Sequence, residues 1–125
     1  MKYALTTTVL VALTCAVASC GGYTNSSPTS PTTTTVAPAG ATIIDVIREN
    51  GAQSFSPNPA TVPAGQMVAW HNVDTVTHRV VLDDGALDTG NLAPGAFSAP
   101  MILRAVGPYH CSIHPSMVGT IVSGQ

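Results

Sequence analysis

Between residues 41 and 125 the apolar positions come in short runs rich in Val, Ile and Thr, separated by Gly, Pro, Asn and Asp. Short runs bounded by turn-forming residues predict strands. The pattern predicts them near Thr42–Arg48, Ala60–Val62, Gln66–Asn72, Thr77–Leu82, Ala96–Leu103, Gly107–Cys111 and Val118–Val122. No segment reads as a long amphipathic helix, and a turn or brief helical piece is expected at Asp84–Leu92. Strands this closely spaced predict an all-β sandwich or barrel.

Alternation along the predicted strands sorts the histidines, because successive side chains on a strand face opposite ways. If Val68 and Trp70 face the core, Asn72 shares their face and His71 points away. Tyr109 and Cys111 share a face, with His110 opposite. His78 falls with Val80 and Leu82, facing inward. His71 and His110 are therefore expected to be solvated surface residues, and His78 either a core histidine or a ligand.

Upstream of this domain the pattern changes twice. Met1–Tyr3 carries one positive charge, and an apolar stretch from Ala4 to Ala18 ends in small residues, as a secretory leader does. Val17-Ala18-Ser19-Cys20 resembles a bacterial lipobox, which implies cleavage after residue 19 and lipid attachment to Cys20. Several acyl chains anchor a protein stably where one does not. Residues 20–40 are dominated by Ser, Thr, Pro and Gly, with too little apolar surface to offset the entropy of ordering. They read as a tether, spanning roughly 25 Å as a flexible coil or up to about 60 Å as polyproline II. Three parts are thus expected: a leader at 1–19, a lipidated tether at 20–40 and one domain at 41–125.

Lys2 is the single lysine, and Arg48, Arg79 and Arg104 stand against six acidic residues. No basic patch is present to recruit nucleic acid or an anionic lipid surface. Of three cysteines, Cys15 leaves with the leader and Cys20 takes lipid, so Cys111 stands alone in the domain. A lone thiol in an oxidising compartment is exposed to oxidation unless something occupies it.

Chemistry concentrates in Tyr109-His110-Cys111-Ser112-Ile113-His114-Pro115-Ser116-Met117. Thiol, imidazole and thioether recur there at three-residue intervals. Thiolate and thioether are soft ligands that select copper, and two imidazoles with a thiolate in a plane, plus a weak axial Met, make a blue-copper electron-transfer site. The second imidazole needed is best supplied by His78. Other readings exist. The spacing also suits one helix face, but Pro108, Pro115 and Gly119 punctuate it too heavily. A Cys/His nucleophile leaves Met117 without a role. Zinc sites use Cys, His and carboxylates in place of Met. A c-type haem needs C-x-x-C-H, which is absent.

The same residues, taken in order, resemble the cupredoxins, small blue copper proteins of plastocyanin and amicyanin type. The resemblance rests on Phe55-Ser56-Pro57, Val62-Pro63-Ala64-Gly65, Val68-Ala69-Trp70-His71-Asn72, His78, Asp88-Thr89-Gly90 and Leu92-Ala93-Pro94-Gly95. It continues through Gly107-Pro108-Tyr109-His110-Cys111 and Met117-Val118-Gly119-Thr120-Ile121. The Cys-x2-His-x2-Met loop with Pro115 is closer to amicyanin. The resemblance implies an eight-stranded Greek-key β-sandwich, with His78, Cys111 and His114 as in-plane copper ligands and Met117 as the axial one. It implies that Asn72 hydrogen-bonds to hold the ligand loop and that the Arg79 N–H donates toward the Cys111 sulfur. It also implies that the His114 edge surfaces in an apolar patch, which Ala86, Leu87, Pro94 and Pro115 would rim. Arg79, Thr77 and His110 depart from the commoner residues of plastocyanin, and Arg79 puts a charge near the site.

The expected protein is therefore a monomeric, lipid-anchored, extracytoplasmic carrier of single electrons in a bacterial envelope, periplasmic or on the outer surface. Its partners would be a redox donor and acceptor docking transiently near His114; nucleic acid is not among them. No general acid, base or open coordination position marks it as an enzyme. A copper-binding or delivery module is the alternative, although such segments tend to repeat Met or His and only Met117 is placed to bind. Asp83, Asp84 and Asp88 read as a solvated acidic turn.

Overall fold

The computed structural model describes residues 33–125. The leader, Cys20 and the tether up to residue 32 lie outside the described residues. The strands are β1 (Ala41–Val46), β2 (Phe55–Ser56), β3 (Ala60–Pro63), β4 (Met67–Asn72), β5 (Val80–Leu82), β6 (Met101–Ile102), β7 (Gly107–Cys111) and β8 (Val118–Gly124). A single 3₁₀ turn, Gly51–Gln53, is the one helical piece among the described residues. Two four-stranded sheets form, in the orders β2-β1-β4-β6 and β3-β8-β7-β5. The protein is the expected all-β sandwich.

Two predicted strands are shorter than their residue pattern. Thr77–Leu82 pairs as a ladder only from Val80, where Val80 faces Cys111, while His78 makes a separate bridge to Leu92. The predicted strand at Ala96–Leu103 is a ladder only at Met101–Ile102, and Phe97 upstream bridges to His71 and Thr34. The two-residue β2 was not expected, since period-2 alternation cannot be read from two positions. Residues 83–92 hold no helix. The chain turns at Gly85, whose N–H donates to the Leu82 carbonyl at a φ of 76°, a left-handed conformation glycine adopts without steric cost. It then returns along β5, with the Thr89 N–H on the Val80 carbonyl.

Thr34, inside the segment expected to be tether, exchanges two backbone hydrogen bonds with Phe97 at 3.0 and 2.6 Å. Ordered contact with the domain thus begins several residues ahead of β1.

The inner faces of both sheets supply one core. Ile44, Val46, Val62, Val68, Trp70, Val80, Cys111 and Met117 are fully buried in it. At its centre Tyr109 makes edge-to-face contacts with Phe55 (4.8 Å between centroids) and Trp70 (5.6 Å). Such pairs contribute about 0.5–1.5 kcal/mol each beyond the area they bury. Tyr109 faces Gly119 across the β7–β8 ladder and lays its ring over it; a Cβ at 119 would fall 2.3 Å from the ring Cζ. Glycine is required there for space, not for backbone conformation.

That packing carries two expected outcomes. Gly119→Ala forces the ring or the strand to move, an overpacking cost of roughly 1–3 kcal/mol or more, read as a lower urea midpoint. The Tyr109 hydroxyl is buried without a hydrogen-bond partner, and burial holds the phenol protonated well above its ordinary range. The stability linked to that group is complete below the unfolded-state value of about 10 and is lost as pH rises beyond it. Tyr109→Phe is expected to remove this alkaline loss at little cost at neutral pH, measured by chemical denaturation at several pH values.

Candidate metal centre

The centre is assembled at the end of the sandwich where β1 and β4, parallel neighbours, both finish: Val46 pairs with Asn72, and the Val73 N–H bonds to the Val46 carbonyl. β4 ends there because the Asn72 side chain competes with a continuing ladder, as short amide side chains do. Its Nδ2 donates to the carbonyls of Val76 (2.7 Å) and Leu92 (2.8 Å), and its Oδ1 accepts the Asp74 N–H (3.0 Å). Fully buried, Asn72 is thus committed to the 73–77 loop and the Leu92 turn. This corrects the expectation from resemblance: its hydrogen bonds hold the loop leading into His78, not the loop carrying His114 and Met117.

His78 follows that loop, fully buried, with its N–H and carbonyl both bonded to Leu92. Its Nε2 lies 2.9 Å from Asp74 Oδ2. The Thr75 N–H and then His78 hold the Asp74 carboxyl below the usual carboxylate range, so it is an acceptor only. Nε2 is therefore the donor in that bond, and Nδ1 is left facing inward. Asp74 was missed in the sequence, although its four-residue offset from His78 is the signal that would have found it.

Cys111 ends β7, fully buried, and the next turn folds back on it: the Met117 N–H bonds to the His114 carbonyl and the Cys111 N–H to the Met117 carbonyl. Half-buried His114 is thereby brought beneath His78, and Met117 is fully buried in the core that also holds Cys111. The two Nδ1 atoms lie 3.2 Å apart, and each is 3.7 Å from Cys111 Sγ. Among the described residues these three form the one His/Cys/Asp/Glu group with metal-ligand spacing, all ligand atoms falling within 4.8 Å of one another. One ion bonded at about 2.0 Å to nitrogen and about 2.3 Å to sulfur would hold N and S about 3.7 Å apart at trigonal angles. The residues fit a metal, and a thiolate with two imidazoles suits copper.

The Arg79 N–H points at Cys111 Sγ at 3.5 Å, where the resemblance placed it. Its guanidinium does not face the site as a free charge: it pairs with both carboxylate oxygens of Asp88 through Nε and Nη2. Arg79 in turn depresses the Asp88 carboxyl. The acidic turn is accordingly not simply solvated, since Asp83 also accepts from His110 at 2.6 Å. Neither His110 nor His71 is a free surface residue. His71 stacks on Phe97 at 3.9 Å and lies 3.1 Å from Asp45. Of the expected apolar rim, Leu87 is buried at 6% exposure and belongs to the core. Val73, Val76 and Ile113, on the two site loops, are the large apolar side chains exposed there, each near half.

No family model matches the chain, and no curated protein matches it. Solved structures do. The chain resembles a reduced amicyanin variant at 23% identity and a TM-score of 0.60, over 78% of this chain and 95% of that one. It resembles amicyanin from Paracoccus versutus at 21% identity and a TM-score of 0.56, over 70% and 85% of the two chains. A purple cupredoxin from Nitrosopumilus maritimus matches at 27% identity and a TM-score of 0.53, over 66% of this chain and 98% of that one.

Replacing Asp74 by Asn removes the obligatory acceptor on Nε2 and frees the His78 ring to change tautomer. Losing such an outer partner typically costs roughly 10- to 100-fold in metal affinity. Competition titration with Cu(II) is expected to show a loss in that range for Asp74→Asn, with the fold retained.

Proposed function

We propose that this cupredoxin-fold chain is a blue copper protein that carries single electrons between redox partners, anchored outside the cytoplasm by lipid on Cys20. The observation that carries the reading is the convergence of His78 Nδ1, His114 Nδ1 and Cys111 Sγ within 4.8 Å in the core. His78, Cys111 and His114 would hold the copper, with Met117 as the weak fourth ligand; bound there, copper supplies one-electron exchange between Cu(II) and Cu(I).

What the chain contributes is confinement. His78 is held on both sides of its backbone by Leu92 and at Nε2 by Asp74. Cys111 ends a strand paired to β5 and β8, and its sulfur receives the Arg79 N–H. A site with so little freedom changes shape little when its charge changes, as fast electron transfer requires. Hydrogen bonds to the sulfur and to the ligand ring tune the metal's potential.

His114 is the ligand nearest solvent, beside exposed Ile113 and Pro115, and this edge is where we place transient docking of donor and acceptor. Small, weakly charged contacts suit electron-transfer encounters, which lie at the low end of interface size. The leader at 1–19, the lipobox cysteine and the Ser/Thr/Pro tether support an extracytoplasmic, membrane-tethered monomer, periplasmic or at the outer surface. We assign the chain no catalysis of its own.

One equivalent of Cu(II) added to the purified protein is expected to give an intense visible thiolate-to-copper band with narrow EPR hyperfine splitting, both lost in Cys111→Ala. A pale tetragonal spectrum, or no stoichiometric binding, would sink the electron-carrier reading and favour a copper-handling role.

A further inference from the structure

We propose that Glu49 is a positioning residue for the His114–Met117 half of the centre, acting through Ser116; the inference rests on the copper reading above. The 112–117 loop is exposed along Ser112, Ile113, Pro115 and Ser116. Its backbone anchors lie within the loop itself or in its own sheet: Ser112 N–H to the Arg79 carbonyl at 2.8 Å, Met117 N–H to His114, and Cys111 N–H to Met117. Asn72 is committed to the other loop, leaving its expected role on this one unfilled.

One side-chain bond crosses from the opposite sheet. Ser116 Oγ donates to Glu49 Oε1 at 2.8 Å, between residues 67 apart in sequence. Ser116 stands between the two ligands of the loop, so a grip there restrains both. Glu49 and Ser116 are both exposed, but the backbone that carries Glu49 is anchored. Glu49 lies in the β1–β2 connection, where the Ile47 N–H bonds to the Ser54 carbonyl and the Asn50 N–H to the Oγ of fully buried Ser54, both at 2.8 Å. A carboxylate acceptor makes the bond stronger than a neutral one. The β1–β2 connection thus clamps the His114–Met117 loop as Asn72 clamps the His78 loop, and both clamps belong to the sheet that supplies no ligand.

The test compares wild type with Ser116→Ala, Glu49→Ala and the rescue variant Ser116→Thr, using the metal-free and the copper-loaded protein. In the metal-free protein, losing one net hydrogen bond is expected to speed amide exchange at Ser112 and Met117, the hydrogen-bonded amides of the loop, by roughly three- to tenfold. Exchange in β4 and at Tyr109 of β7 should stay unchanged, and Ser116→Thr should restore the wild-type rate. In the copper-loaded protein the electron self-exchange rate is expected to fall in both Ala variants and recover in Ser116→Thr. Unchanged loop exchange in both Ala variants would overturn the clamp. Faster loop exchange with an unaltered self-exchange rate would reduce it to a structural contact and overturn the positioning role. A wild-type protein that fails to give the blue spectrum would defeat the functional reading alone, because amide exchange in the metal-free protein still reports on the clamp.

Discussion

Two imidazole nitrogens lie 3.2 Å apart, each 3.7 Å from a buried sulfur, and the rest of the structure is arranged to hold them there. Polar atoms withdrawn from water cost free energy unless they are partnered. The other polar groups of the His78 ring and backbone, and the Cys111 sulfur, already have partners. His78 has Asp74 on Nε2 and Leu92 on its backbone, and the Cys111 sulfur has the Arg79 N–H. The two Nδ1 atoms and the sulfur face a common centre, where a thiolate with two imidazoles suits copper.

The two sheets divide the work. His78, Cys111, His114 and Met117 all lie at the β5, β7 and β8 end of one sheet, while Asn72 and Glu49 project from the ends of β4 and β1 in the other. A single sheet would present its ligands on loops free to swing, whereas hydrogen bonds from the facing sheet tie those loops down. The parallel pairing of β1 and β4 matters here, because it brings the ends of both strands to the same side of the molecule. The Phe55–Tyr109–Trp70 stack over Gly119 holds the two sheets together beneath that end.

Charge near the centre is paired rather than left to act at a distance. Arg79 is neutralised by Asp88, His110 faces Asp83, and Asp74 is turned onto His78. These pairs leave the loop surface around His114 to Val73, Val76, Ile113 and Pro115, side chains suited to brief, weakly steered contact.

Strand alternation alone separated inward-facing His78 from His71 and His110, since a period of two leaves no third choice. The thiol–imidazole–thioether spacing, in a described region whose one cysteine is Cys111, was likewise enough to point to a soft-metal site and, with the resemblance, to its fold. Local turn chemistry placed most strands to within a few residues. What depended on distant segments was not legible: the two-residue β2, the bridges of Phe97, the destination of the Asn72 amide and the bond from Glu49 to Ser116. Asp74 was within reach of an offset argument, yet its side chain could equally have faced water. The sequence by itself therefore determined which residues carry ligand chemistry and which way each strand presents them, because side-chain chemistry and strand parity are local. Only the tertiary structure decided which hydrogen bonds hold those atoms in place, because a side chain's partner across a sandwich is set by how two sheets stack.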